Sequence, residues 1–194
     1  MGSFAVRNAA PDSEESRVAR YFPGGGANLN AIARGVVAGK SLDRWQHARL
    51  FAMVNIAVND ALISTFRAKF HYNFWRPYTA IRWADDGNPL TQSDPTWTTY
   101  ITTPPYPDYP CGLPTTMGAG AQVMRSYFGT DQLPYTLTAA GITRSYTRLS
   151  DAESDSVDAR VYGGIHFRFG CEAGVVQSRK VGKWVYLTQL RANH

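Results

Sequence analysis

Cysteine is scarce in this chain: Cys111 and Cys171 are the two that its 194 residues contain. Two cysteines cannot build a disulfide framework. With no CxxC and no closely spaced pair of histidines, the pattern of a structural zinc site is missing as well. Charge is low too, at 18% Asp, Glu, Lys and Arg, with a net charge of +5. No basic run accompanies that excess, so a nucleic-acid partner is not expected. The excess suits an anionic ligand if several of the cations converge on one point. Long apolar runs are absent: the best, Leu50 to Val58, is interrupted by Asn55 and too short to span a bilayer. Met1 to Glu15 is polar and acidic and carries no apolar signal-peptide core. The Met-Gly start does not continue as a myristoylation signal, because Val6 stands where Ser or Thr is required. The expectation is a soluble protein with no membrane partner and an undetermined compartment.

What the chain does have is enough apolar material for a core. Hydrophobic residues make up 44%, and a folded chain of this length buries roughly 70% of its unfolded surface. Residues 1–24 read as a loosely ordered arm that ends at Pro23 and the Gly24–Gly26 run, so the expected organisation is an arm over 1–27 and one domain over 28–194. Leu29, Ile32, Ala33 and Val36 share one helical face, which Gly39 terminates. Ser41 is the expected N-cap of a long helix over 42–71, with Leu50, Met53, Val54, Ala57, Ala61 and Ile63 at helical spacing. Pro77 suits the first turn of a short helix over 77–84. Residues 89–112 hold six of the eleven prolines and read as a rigid, partly extended loop. A small-residue helix is expected over 115–128. Ser150-Asp-Ala-Glu153 reads as a capping box that opens a helix towards Gly163. A last amphipathic helix is expected over 172–190. No strand pair is evident, and the expected class is all-α.

Three segments draw attention on chemical grounds. In Lys69-Phe-His-Tyr-Asn-Phe-Trp-Arg76-Pro77, two cations sit among five aromatic residues, and burying them requires carboxylate partners or an anionic ligand. Pro110-Cys111-Gly112-Leu113-Pro114 joins the rigid loop to a helix, where backbone N–H groups form an anion site. Arg160-Val-Tyr-Gly-Gly-Ile-His166 places a third cation near a histidine. Each segment also has a plain structural reading, as a core ion pair, a hydrogen-bonded core histidine or a helix cap. Asp60, on the long helix, reads as a buried structural partner.

The three segments together resemble the signature of the vanadium-dependent haloperoxidase and type 2 phosphatidic acid phosphatase superfamily, in its haloperoxidase branch. That signature is Lys, six residues, Arg-Pro; then Pro-Ser-Gly-His; then Ser-Arg, five residues, His, three residues, Asp. Lys69 with Arg76-Pro77 fits the first block, and Arg160 with His166 fits the third. Phe74-Trp75-Arg76-Pro77, the loop Pro104 to Pro110, and Tyr162 to Phe169 agree with the haloperoxidase form. The resemblance covers about residues 28–188 and implies the C-terminal half of a helical-bundle fold. It implies an oxyanion, vanadate with phosphate as a competitor or substitute, bound by Lys69, Arg76 and Arg160. Gly112 would supply a backbone N–H and Cys111 would stand in for a serine donor. His166 would be the axial vanadium ligand, hence the metal-binding residue. With Lys69, Arg76 and Arg160 it would form the catalytic set. Tyr106 and Phe66 would line the halide pocket, and hydrogen peroxide and halide would be the small-molecule substrates.

Three departures qualify this expectation. Leu113 occupies the place of the acid–base histidine, Cys111 that of the serine, and Gly170 that of the aspartate that orients His166. Support for His166 is therefore expected to be missing. Three other functions stay open: an acid phosphatase with His166 as nucleophile, an anion-binding protein without turnover, and metal-free chemistry at Cys111. Family members carry further helices before the matching region, so an uncovered apolar face, buried in a homodimer or against a partner, is also expected.

Overall fold

The computed structural model describes residues 13–22, 28–83 and 87–191. Seven helices and one hairpin follow in order: α1 (Glu14–Tyr21), α2 (Leu29–Val37), α3 (Arg44–Tyr72), α4 (Pro77–Arg82), α5 (Gly112–Phe128), β1 (Tyr135–Ala139), β2 (Ile142–Tyr146), α6 (Leu149–Tyr162) and α7 (Arg168–Thr188). The mostly helical class agrees with the sequence. The hairpin does not; it pairs Tyr135 with Tyr146 and Ala139 with Ile142 around Ala140-Gly141, both at positive φ. That turn has the left-handed pair of residues that a two-residue hairpin requires, and Gly141 was its signal.

Helix α3 is the longest element at 29 residues. Its cap is Asp43 rather than Ser41: the Asp43 side chain accepts from Trp45 and Gln46 N–H, and Gln46 returns a bond to the Asp43 N–H. It buries Leu50, Met53, Val54, Ala57 and Ala61 on one face, while Asp60 and Ile63 are exposed. Asp60 is therefore a surface residue, not a buried partner.

Helices α5 and α7 lie close together because their facing side chains are small. A Cβ built on Gly118 would come within 2.3 Å of the Ser178 Oγ, one on Gly174 within 2.8 Å of the Cys111 carbonyl, and one on Gly182 within 2.5 Å of the Ala119 carbonyl. Gly174, Ser178 and Gly182 recur every four residues, so they share one face of α7.

The capping box expected at Ser150 is absent. Helix α6 starts at Leu149, and Ser150 donates instead to Asp131. Glu153, buried to 2% exposure, faces the bidentate Arg125 and Arg179. Residues 1–12 and 23–27 lie outside the described residues. Between them, Glu14–Tyr21 is a capped helix rather than a loose arm; it packs against α6 and buries Val18, Ala19 and Tyr21. Several large apolar side chains are exposed, among them Phe70, Trp184 and Leu187. Among the described residues, no helix is long and apolar enough to cross a membrane.

Gly182→Ala forces a methyl into a backbone carbonyl across the α5–α7 seam. It is expected to lower unfolding stability by about 1–3 kcal/mol, as overpacking does. A urea midpoint unchanged from the wild type would show that the seam can open without penalty.

Candidate functional site

The helix ends and loops of this scaffold bring all three suspicious segments to one buried point. Lys69 lies in the last turn of α3, which Asn73 closes with a left-handed residue whose N–H bonds the Lys69 carbonyl. Arg76 is the residue before α4, Cys111 the residue before α5, and Arg160 lies in the last turn of α6. Gly164, at a φ of 74°, turns the chain from α6 towards His166, a conformation that glycine adopts without strain. Lys69, Arg76, Arg160, Cys111 and His166 are all buried, at 0–6% exposure.

Main-chain carbonyls hold the three cations. The Lys69 Nζ donates to the carbonyls of Pro107 and Asp108 at 2.9 and 2.8 Å. Arg76 donates to those of Tyr106 and Ile165 at 2.8 and 2.7 Å. Arg160 donates to the Phe22 carbonyl at 2.8 Å. Carbonyls orient a cation without cancelling its charge. Burial pulls the Lys69 pKa down to about 8, against the opposing influence of Cys111. It also lowers Arg76 and Arg160.

One carboxylate is present, and it comes from an unexpected place. Asp108, fully buried in the proline-rich loop, sets its Oδ1 at 2.7 Å from the His166 Nδ1 and 4.0 Å from Arg76. Burial pushes the Asp108 pKa up to about 7, more than Arg76, Lys69 and the Phe167 N–H hold it down. The Nδ1 contact is close but bent, leaving both carboxylate oxygens without an aligned hydrogen bond. Gly170 does not leave His166 unsupported, contrary to the expectation from sequence. A Cβ at Gly170 would meet the Asp108 Oδ2 at 3.0 Å, so the glycine makes room for a carboxylate supplied by the loop. Sequence reasoning missed Asp108 because it lies 58 positions from His166.

Burial holds the His166 pKa well below its usual value, helped by Arg76, Lys69 and Arg160. The neutral ring accepts from the Arg76 Nη1 at Nε2, 3.0 Å away, because arginine can only donate. That places the proton on Nδ1, facing Asp108.

Polar atoms without partners concentrate here. Among the described residues, six buried side-chain nitrogen and oxygen atoms have no hydrogen-bond partner. Five belong to this site: the Arg76 Nη2, the Arg160 Nε, the His166 Nδ1 and both Asp108 oxygens. Buried polar atoms in folded proteins are nearly always satisfied. Gly112 and Leu113 open α5, so their N–H groups have no intrahelical acceptor. A Cβ on Gly112 would meet nothing within 4 Å, so the space beside it is open. This arrangement can bind a tetrahedral oxyanion.

The remaining site residues are placed as follows. The Tyr106 ring lies beneath Lys69 and Arg76, 5.1 and 4.9 Å from their charged groups, and meets Phe66 edge to face at 5.3 Å. A cavity of about 560 Å³, lined in part by Phe22, Ile101, Pro104, Tyr106, Arg160 and Ile165, reaches the cluster at Arg160. Leu113 points into the hydrophobic core at 2% exposure and brings no proton carrier to the site. Cys171, which the sequence reading left out, lies in the first turn of α7. Its sulfur, the Cys111 sulfur and a His166 ring nitrogen fall within 4.8 Å of one another.

Residues 49–193 match the family model of the vanadium chloroperoxidase second helical-bundle domain. The chain belongs to that family. It is 36% identical over 102 residues to the vanadium chloroperoxidase of Curvularia inaequalis, a match covering 47% of this chain and 16% of that protein. A solved bacterial vanadium-dependent iodoperoxidase superposes with a TM-score of 0.80 at 25% identity, covering 96% of this chain and 46% of that one. A holo-type bacterial vanadium-dependent chloroperoxidase gives a TM-score of 0.74 at 19% identity, over 93% and 45% respectively, a likeness of fold. The chain thus spans under half the length of these solved haloperoxidases. Its all-α helical bundle is the haloperoxidase bundle.

Oxyanion affinity in this site is expected to fall as pH rises through about 8. An anion raises the pKa of Lys69, so above that pH binding must take up a proton. Sulfate, doubly charged throughout the range, is the suitable probe. Its dissociation constant should rise between pH 7 and 9.5 in the wild type and stay flat, though weaker, in Lys69→Met. A flat wild-type profile would remove Lys69 from the site.

Proposed function

We propose that this chain binds vanadate between Lys69, Arg76, Arg160 and His166 and belongs to the halide-oxidising, peroxide-using haloperoxidases. The observation that carries this reading is the concentration of three buried cations, Arg76 and Arg160 each with an orphaned donor, around one buried neutral histidine whose Nε2 lone pair faces Arg76. Those groups fit vanadate: the guanidinium N–H groups of Arg76 and Arg160 match a tetrahedral oxyanion, and the His166 Nε2 offers a nitrogen ligand. Bound vanadate supplies Lewis-acid activation of peroxide. The chain's own residues supply the rest. Lys69, Arg76 and Arg160 neutralise the oxyanion, and the Gly112 N–H and Cys111 S–H donate to it. Asp108, 2.7 Å from Nδ1, favours the proton on that nitrogen and so leaves the Nε2 lone pair facing Arg76 and the anion site. Tyr106 and Phe66 line the halide pocket, where halide and hydrogen peroxide are the substrates.

Leu113 favours a second reading, an anion site with little turnover. Leucine moves no proton, and loss of an acid–base group costs roughly 10²–10⁴ in rate. In the same way, the lack of that group weighs against a phosphatase with His166 as nucleophile. Leu113→His separates the two readings. Vanadate-loaded wild type is expected to brominate a chromogenic acceptor slowly with peroxide and bromide, and Leu113→His at least 10-fold faster. In both, vanadate should raise Tm. A Tm rise without turnover in either protein would leave the anion-binding reading; no Tm rise would refute vanadate binding.

A further inference from the structure

Helix α1 is 8 residues long. A helix shorter than roughly 12–15 residues is marginal in water on its own, so the order of α1 comes from docking. It docks on α6 and the hairpin. Val18, Ala19 and Tyr21 are buried, Glu14 pairs with Arg144 at 2.7 Å, and the Tyr21 hydroxyl donates to the Leu137 carbonyl at 3.3 Å. The docked helix presents its C-terminal end to the site. Carbonyls at such an end have no intrahelical donor and carry the negative pole of the helix dipole. Arg160, 3% exposed, meets them there: its Nη2 donates to the carbonyl of Phe22, the residue after α1, at 2.8 Å, with a longer bond to Ala19 at 3.5 Å. Its Nε is buried without a partner. Ala19 and Phe22 also line the cavity of about 560 Å³ that reaches Arg160.

We infer that α1 is a strap whose docking and the binding of an oxyanion reinforce each other through Arg160. A guanidinium is a rigid planar fork, so fixing Nη2 fixes Nε as well. The pose that serves the end of α1 through Nη2 is therefore the pose that leaves Nε for the anion. With α1 docked, Arg160 is ordered before the anion arrives, and binding to an already ordered group costs less conformational entropy. The anion, once bound, holds Arg160 in that same pose and so holds the helix end against it. Coupling between two binding events is reciprocal, so each tightens the other by the same factor. Lifting α1 is thus a way to lower anion affinity without touching a cage residue. This inference rests on the oxyanion reading above and adds to it the element that sets its strength.

Two measurements with orthovanadate as the probe test it, neither of which needs turnover. Val18→Glu puts a carboxylate into the α1–α6 contact, and circular dichroism checks that the remaining helices fold. Calorimetry is expected to show vanadate bound about 5-fold more weakly in Val18→Glu than in the wild type. In an Arg160→Ala background the same change should alter affinity by no more than about 2-fold, because the coupled partner is gone. The second measurement requires no change in α1. Arg17 and Arg20 are exposed on α1, and tryptic cleavage after them reports its undocking. Saturating vanadate should slow that cleavage about 5-fold in the wild type and leave it unchanged in Arg160→Ala. Cleavage after Lys40, exposed beyond the end of α2, should not respond in either protein. Vanadate binding that is the same in Val18→Glu and wild type, equal weakening in both backgrounds, or α1 cleavage indifferent to bound vanadate would overturn the strap and leave the oxyanion site standing. No vanadate binding to the wild type would overturn both.

Discussion

Everything in this molecule that is unusual follows from three buried cations held by neutral carbonyls. Burying an ion costs several kcal/mol unless opposite charge accompanies it. Lys69, Arg76 and Arg160 are given five main-chain oxygens from three separate places in the chain, and burial pushes the pKa of the single carboxylate nearby up to about 7. The cluster therefore keeps an excess of positive charge in a dry place. Such a site is poorly designed for stability and well designed for an anion. The neutral histidine beside it extends that logic: its lone pair survives because burial first, and the same cations after it, hold the ring well below its usual pKa.

The scaffold serves this constraint. The helices end where the cations are needed: α3 just past Lys69, α6 just past Arg160, with α4 and α5 beginning beside Arg76 and Cys111. The small-residue face of α7 draws it close to α5, which sets Cys171 against Cys111. Helix α1 packs against α6, and Phe22, the residue that follows it, supplies the carbonyl that holds Arg160. The electrostatic load elsewhere is handled conventionally, as where two arginines flank the buried Glu153.

Much of the fold was legible because helical periodicity is a local signal. The long helix, the proline-rigid loop and the final helix follow from residue spacing, and the spacings of Lys69 to Arg76 and Arg160 to His166 carried the site. What stayed hidden was non-local. Ser150 and Glu153 have the spacing of a capping box, but tertiary partners, Asp131 for one and two arginines for the other, took both side chains. The hairpin was passed over because its strands are short and its Ala-Gly turn is a weak signal. Asp108 looked like loop material, and the loss of an acid at Gly170 looked like a loss of support. The space around Gly170 shows an exchange of position instead.

The central claim is that the three cations and His166 form one oxyanion site. Calorimetric titration of the protein with orthovanadate, repeated in the presence of phosphate, tests it most directly. Micromolar binding of one vanadate per chain is expected, with competition by phosphate and at least 10-fold weakening in Arg160→Ala. No heat of binding up to millimolar vanadate, or binding that is indifferent to Arg160→Ala, would contradict it.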